Sequence, residues 1–341
     1  MLQVKNETPF VPGLFVFPDP RTAVDTVYLA VKATFSMTPK VKVAEQQLPL
    51  VPGDQYWGDP GASSVRFAGE AHPCKLASDV VLLGHAHAPG GKPSPRFGLS
   101  LGVGKLRKIA QVHGERVWKA GALGATPSSA IPVDKIPLQW ERAYGGRHDL
   151  PEGRFLAEMR NPVGLGFRGK RSLDEMNGTR VPNLEDPRKP VSSLSDPGVP
   201  HGFGWVAPSW LPRTGYAGTY DQAWQKRRAP YFPADFDLRF FQAAPPDQVY
   251  PGFLAGGEPV ELLNCAPEGV QRFALPVCRL DSAVWIAGRA HKVVLRLESL
   301  VLEPDQHRFS LLFRGAVPCD KRALQVEVAR VGLKSLEGVD R

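Results

Sequence analysis

Nothing in these 341 residues reads as a membrane span, a leader peptide or a disulfide framework. The longest apolar run falls far short of the ~20 residues needed to cross a bilayer. The first residues, Met1-Leu-Gln-Val-Lys-Asn-Glu-Thr, lack a positive segment followed by an apolar one, so no signal peptide is expected there. Cysteine is scarce. Cys74, Cys265, Cys278 and Cys319 lie far apart with no Cys-x-x-Cys, a pattern that fits free thiols in a reducing cytoplasm better than a zinc site. Gly90-Gly91-Lys92 is followed by Pro93 where a phosphate loop needs a hydroxyl, and Gly102-Val-Gly-Lys105 has the same defect. Long amphipathic helices are missing, as is any βαβ rhythm or internal repeat of 20 to 50 residues.

What is present is alternation of period two. Thr26 to Ser36 reads as a strand, with Val41-Lys-Val43 as its partner. Asp79 to Ala88 reads as one buried strand running into a Pro-Gly-Gly turn. Arg96 to Val103 and Leu106 to Val112 form an expected hairpin, with Val117-Trp118 and Gln139 to Ala143 as further short strands. Toward the C-terminus, Val260–Leu263, Gln271–Pro276 and Val284–Ala287 read as strands. A hairpin is expected from Lys292–Glu303 and Arg308–Arg314 around Pro304-Asp-Gln-His307, and Leu324, Val326 and Val328 favour a last strand. The expected fold is mainly β: an antiparallel sandwich or two packed sheets, with one or two short helices. It divides into a β-rich part over 1–143, an irregular insertion over 144–259 and a second β-rich part over 260–341.

The insertion is the unusual part. From Tyr144 to Val270, 32 of 127 residues are Pro or Gly. Disordered linkers of that composition lack bulky apolar residues, whereas here Phe203, Trp205, Trp210, Tyr220, Trp224, Tyr231, Phe232, Phe236, Phe240, Phe241, Tyr250 and Phe253 recur. Such a stretch folds as turns pinned by aromatic side chains, and ordered loops of this kind carry recognition more often than scaffolding. Trp205, Trp210, Phe240 and Phe241 fit either a stacking platform or a small local core that offsets the entropy of ordering irregular backbone. Thr219 is placed to cap a helix reaching Arg228, and Pro233 to open a second over Ala234–Gln242.

Few residues carry chemistry. His85 and His87 share one strand face and can offer two nitrogens to zinc or iron. Further ligands would come from Asp59, Asp79 or His113, which no spacing singles out. The alternative is two histidines satisfied by ordinary partners. Carboxylates at Asp235, Asp237, Asp247 and Glu185-Asp186 fit acid–base work or, for Asp235 and Asp237, helix capping and pairing with Arg239. The net charge of +8 raises nucleic acid as a partner, its densest patch holding Lys105, Arg107, Lys108, Arg116 and Lys119. Alternation there reads equally as the solvated face of a strand.

Several blocks resemble a bacterial family known as domain of unknown function 2169. They begin with Tyr56-Trp57-Gly58-Asp59-Pro60 and Gly84-His85-Ala86-His87-Ala88-Pro89-Gly90-Gly91-Lys92-Pro93. Trp140-Glu141-Arg142-Ala143-Tyr144-Gly145-Gly146, Asn161-Pro162-Val163-Gly164 and Pro182-Asn183-Leu184-Glu185-Asp186-Pro187 follow, then Gly218-Thr219-Tyr220-Asp221 and Pro233 through Gln248. The resemblance covers about residues 1 to 315. It implies a single cytoplasmic, non-enzymatic adaptor or chaperone domain of type VI secretion over 1–341. Such a protein binds a secreted effector and helps load it onto a spike or tip protein, with no cofactor, no membrane and no direct nucleic acid. Partner contacts would then fall on Trp205, Trp210, Arg239, Phe240 and Phe241. The rival class is a metal-dependent or polysaccharide-acting hydrolase built on His85, His87 and the insertion's carboxylates.

Overall fold

The computed structural model describes residues 3–37, 40–122, 124–196 and 198–340. It is mainly β, as alternation predicted. A six-stranded sheet runs in the order Val11–Pro18, Asp25–Ser36, Arg308–Pro318, Arg296–Glu303, Asp79–Leu82, with Lys42–Val43 added beside Asp25–Ser36. A five-stranded antiparallel sheet runs Leu184–Glu185, Leu106–His113, Arg96–Val103, Pro259–Leu263, Val270–Ala274. A four-stranded sheet holds Gln3–Glu7, Val326–Glu337, Val277–Ile286 and Arg289–Lys292. Pairing is largely antiparallel, but Asp79–Leu82 closes the first sheet in parallel and Gln3–Glu7 lies parallel to Val326–Glu337. Among the described residues no helix is long and apolar enough to cross a membrane.

The sheets share one apolar core. Asp25–Ser36 and Arg308–Pro318, buried over most of their lengths, pair along eleven residues. Phe309 stacks on Phe35 of its own sheet at 5.3 Å and on Phe273 of the five-stranded sheet at 5.2 Å, a geometry favoured by the ring quadrupoles. The same core takes in Phe203, Trp205, Val206, Trp210 and Ala243 from the insertion. The four cysteines are free thiols, and burial pushes those of Cys74, Cys265 and Cys278 up to about 12, so they stay protonated at neutral pH.

Several local expectations are corrected. Asp79 to Ala88 is two strands, because Gly84 breaks the run and His85–His87 pairs instead with Lys135–Pro137. Gln139 to Ala143 is not a strand. Trp140–Arg142 forms one 3-10 turn, since the Trp140 indole donates inward to the carbonyls of Gly204 and Trp205 while Glu141 accepts from the Ser64 amide and hydroxyl. Thr219 does not cap the helix. Asp221 does, for Gln222–Arg227, because the Thr219 hydroxyl donates to Asp235. The second helix shrinks to the 3-10 turn Leu238–Phe241, capped by Asp237.

Inside this core lies a line of buried charge. Lys32 pairs with Glu70 at 2.8 Å, Arg314 with Glu298 at 2.8 Å, and Lys75 with Asp79 at 2.6 Å. The pairs are joined: Arg314 also donates to the Glu70 carbonyl, and Glu298 accepts from the Lys75 amide. At its far end Asp79 accepts from the Gln242 side chain and the Ala243 amide, both at 2.8 Å, and so fastens the insertion to the sheet. Removing one member of a buried pair strands the other charge. Arg314→Met is therefore expected to lower stability by roughly 3–5 kcal/mol in urea denaturation, and the double change with Glu298→Met by distinctly less. Equal losses for the single and double variants would contradict the pairing.

A second fastening is pH-sensitive. The His201 ring, T-shaped against Phe203 at 5.8 Å, shares a hydrogen bond of 2.8 Å with the Ile109 carbonyl. Burial and the nearby Lys108 ammonium lower its pKa to about 4. The unfolded chain therefore takes up this proton first, near pH 6.5, and stability is lost as pH falls from there toward 4. The His201→Gln variant should escape this loss, so its deficit relative to wild type narrows by up to about 3 kcal/mol over that range. A constant deficit from pH 7 to pH 4.5 would contradict burial of the neutral ring.

Candidate functional site

Two places bring chemically versatile residues together. The first is the excursion between Tyr216 and Asp237, whose ends meet through the Asp237 amide and the Tyr216 carbonyl at 3.0 Å. Asp235 closes it further by accepting from the Thr219 amide and hydroxyl. Within it Trp224 donates through its indole to the Tyr231 carbonyl at 2.8 Å, and Tyr220 meets Trp224 edge-on at 4.7 Å. Tyr220 is 54% exposed and Tyr231 39%. Lys226 and Arg227 lie exposed on the helix beside them. Beneath, Phe232, Phe236, Phe240 and Phe241 form a ring cluster with centroids 4.4–6.1 Å apart. Phe241 in turn stacks on His72 at 5.7 Å.

The sequence-predicted contact residues divide between surface and interior. Trp205 and Trp210 are each only 4% exposed. Trp210 packs edge-on against Trp140 at 5.9 Å, and Trp205 faces the Lys75 ammonium. These two belong to the core, a correction to their assignment as partner contacts: irregular backbone needs apolar anchors more than the surface needs platforms. Phe241 is nearly buried, and Phe240 is half-buried over Arg213. Arg239 is exposed, stacked on Tyr216 at 4.4 Å and held by Asp237. That ion pair keeps the Asp237 carboxyl below its ordinary value. Tyr220 and Tyr231, the more exposed aromatics, were legible only as members of the aromatic run.

The second place is the strand His85–His87. Both imidazoles lie on one face as their spacing requires, and both hold one carboxylate: His85 Nδ1 is 2.7 Å and His87 Nε2 2.8 Å from the two oxygens of Asp305. Asp305 sits in the turn Pro304–Gln306, more than two hundred residues away. No spacing pointed to it. Gly84 permits the approach, because a Cβ there would stand 2.9 Å from an Asp305 oxygen. Of the proposed further ligands, Asp79 is committed to Lys75, His113 lies 3.5 Å from Glu185, and Asp59 sits in a surface turn. His85, His87 and Asp305 come nearest to a metal-holding set, yet among the described residues no three His, Cys, Asp or Glu side chains converge as a metal requires.

The other candidates are also engaged. Asp247 pairs with Lys108, Glu185 with Arg116, and Asp186 with Arg188. Lys108 is a correction to the picture of a solvated basic strand. It faces inward, 4% exposed, because the Gly202 carbonyl and Asp247 receive its ammonium. Arg107 leans on Glu261, leaving Lys105 and Lys119 as the exposed cations of that patch without a carboxylate partner among the described residues.

Burial pushes the Asp305 carboxyl up, but the hydrogen bonds from His85 and His87 outweigh it and hold the group below its ordinary value. A carboxylate depressed in this way stabilises the fold above the unfolded value near pH 4, and the contribution disappears as pH falls through the lower folded value. Asp305→Ala is expected to cost about 1–3 kcal/mol at pH 7, with the deficit shrinking below pH 4 in acid-unfolding measurements. A deficit independent of pH would contradict the ionised pairing.

A family model described as "Uncharacterized protein conserved in bacteria (DUF2169)" matches residues 22–314. No curated protein and no solved structure matches the chain.

Proposed function

The chain belongs to this bacterial family of uncharacterized proteins, and on that premise we propose that it is a non-enzymatic adaptor that captures another protein. In the finer form of the proposal, the captured protein is a type VI secretion effector, and the adaptor helps place it on the spike or tip protein in the cytoplasm. The resemblance in the sequence blocks supports that finer form. The observation that carries the coarser one is the excursion from Tyr216 to Asp237. It exposes Tyr220 and Tyr231 on backbone that is pinned at both ends.

Its physics fits protein capture. Aromatic and arginine side chains concentrate interface energy when they are held rigid, because little conformational entropy remains to be lost on binding. Tyr231 is held by the Trp224 indole, and Arg239 by Asp237 and Tyr216. Lys226 and Arg227 add positive charge at the rim, which favours fast encounter with an acidic partner. The hydrolase reading draws less support. The carboxylates it would use are tied to Thr219, Arg239, Lys108, Arg116 and Arg188, and none lines the cleft beside His85.

Co-expression with a type VI effector and a spike protein from the same genome is the test. The wild-type chain should co-purify with both. The double variant Tyr220→Ser/Tyr231→Ser should lose effector affinity by about tenfold or more while still unfolding cooperatively, because neither ring belongs to the apolar core. Failure of the wild type to retain either protein, with each folded and soluble, would overturn the proposal.

A further inference from the structure

A cleft of about 380 Å³ opens beside His85, lined by Trp57, Arg66, His85, Gln139, Asp305 and Arg308 among others. Its charges are not balanced. Glu303 is taken by Arg308, whose Nε and Nη2 each donate at 2.9 Å. Asp305 is taken by His85 and His87. Arg66 is left over. Its guanidinium lies over Trp57 at 4.7 Å and over Phe67 at 5.1 Å, and among the described residues no carboxylate pairs with it. Both acids of the cleft are thus neutralised from within, and a fixed, stacked guanidinium stands unneutralised at the opening.

We propose that this cleft binds a carboxylate of an extended peptide. A guanidinium held flat against an aromatic face keeps its N–H fork free for bidentate contact with a carboxylate. His85 spends Nδ1 on Asp305, which leaves Nε2 for the ligand. That nitrogen stands beside the cleft with Arg66 and Arg308, while Asp305 holds the other side of the ring. The volume suits a ligand larger than a lone anion. Trp57, 41% exposed, and Leu83 supply an apolar wall for the residue that carries the carboxylate. The carboxylate comes from a chain terminus or from an acidic side chain. The proposal deepens the adaptor reading and rests on it for the ligand's being a protein segment. Short peptides replace the effector in the assay, so either idea can fail alone.

The experiment is fluorescence anisotropy of the full chain with three dansyl peptides: Ala-Ala-Leu with a free C-terminus, its C-terminal amide, and Ala-Glu-Leu amide. Binding of the first or the third, with the neutral amide at least about tenfold weaker, supports the site and identifies the source of the carboxylate. Arg66→Ala should weaken that binding by about tenfold, and Arg66→Lys should restore part of it without changing the unfolding midpoint. Equal binding of all three peptides, no effect of Arg66→Ala, or displacement of bound fluorescence by phosphate with no discrimination among peptides would each overturn the proposal.

Discussion

Three ion pairs, Lys32–Glu70, Arg314–Glu298 and Lys75–Asp79, run as one line through the middle of the molecule. Their desolvation is costly. Burial pushes the Glu298 carboxyl upward, against the pull of Arg314. A core of apolar residues in their place would hold the sheets together at least as well. What apolar residues would not supply is direction. Asp79 offers two oxygens at fixed positions, and the insertion meets them with the Gln242 amide and the Ala243 N–H. Gln248 repeats the device by donating to the carbonyls of Val80 and Phe203. A stretch with little repetitive secondary structure gains a unique docking register on the sheet from such contacts.

The excursion that carries Tyr220 and Tyr231 depends on this arrangement. Phe241 and Phe240 precede Gln242 and Ala243 directly, so the ring cluster under the excursion is positioned by the Asp79 contacts. Arg213 reinforces it by donating to the Val206 and Phe240 carbonyls. The path from buried charge to exposed tyrosine is therefore short and continuous.

The strands with both partners nearby in sequence were legible. The hairpin Arg96–Val103 with Leu106–His113 follows from its alternation and its Gly-Val-Gly turn. The presence of an ordered irregular stretch was legible too, since aromatic content of that kind demands a core. What escaped depends on partners far along the chain. Lys108 looks solvated until Gly202 and Asp247 arrive. Trp140-Glu-Arg-Ala alternates like a strand, yet contacts to Gly204 and Ser64 bend it into a turn. His85 and His87 announced a shared face, but Asp305, which gives that face its chemistry, lay in a turn whose residues explain themselves locally. Trp205 and Trp210 were ambiguous because composition does not say which aromatic rings point inward.

The central claim is that the insertion is as firmly ordered as the sheets, and that Asp79 makes it so. Native-state hydrogen exchange tests it most directly. In the wild type, the amides of Val206, Ala243 and Gln248 should be protected to a degree comparable with those of Asp25–Ser36. In Asp79→Asn, protection at those three should fall by orders of magnitude while Asp25–Ser36 stays slow. Fast exchange at Val206, Ala243 and Gln248 in the wild type would contradict the account.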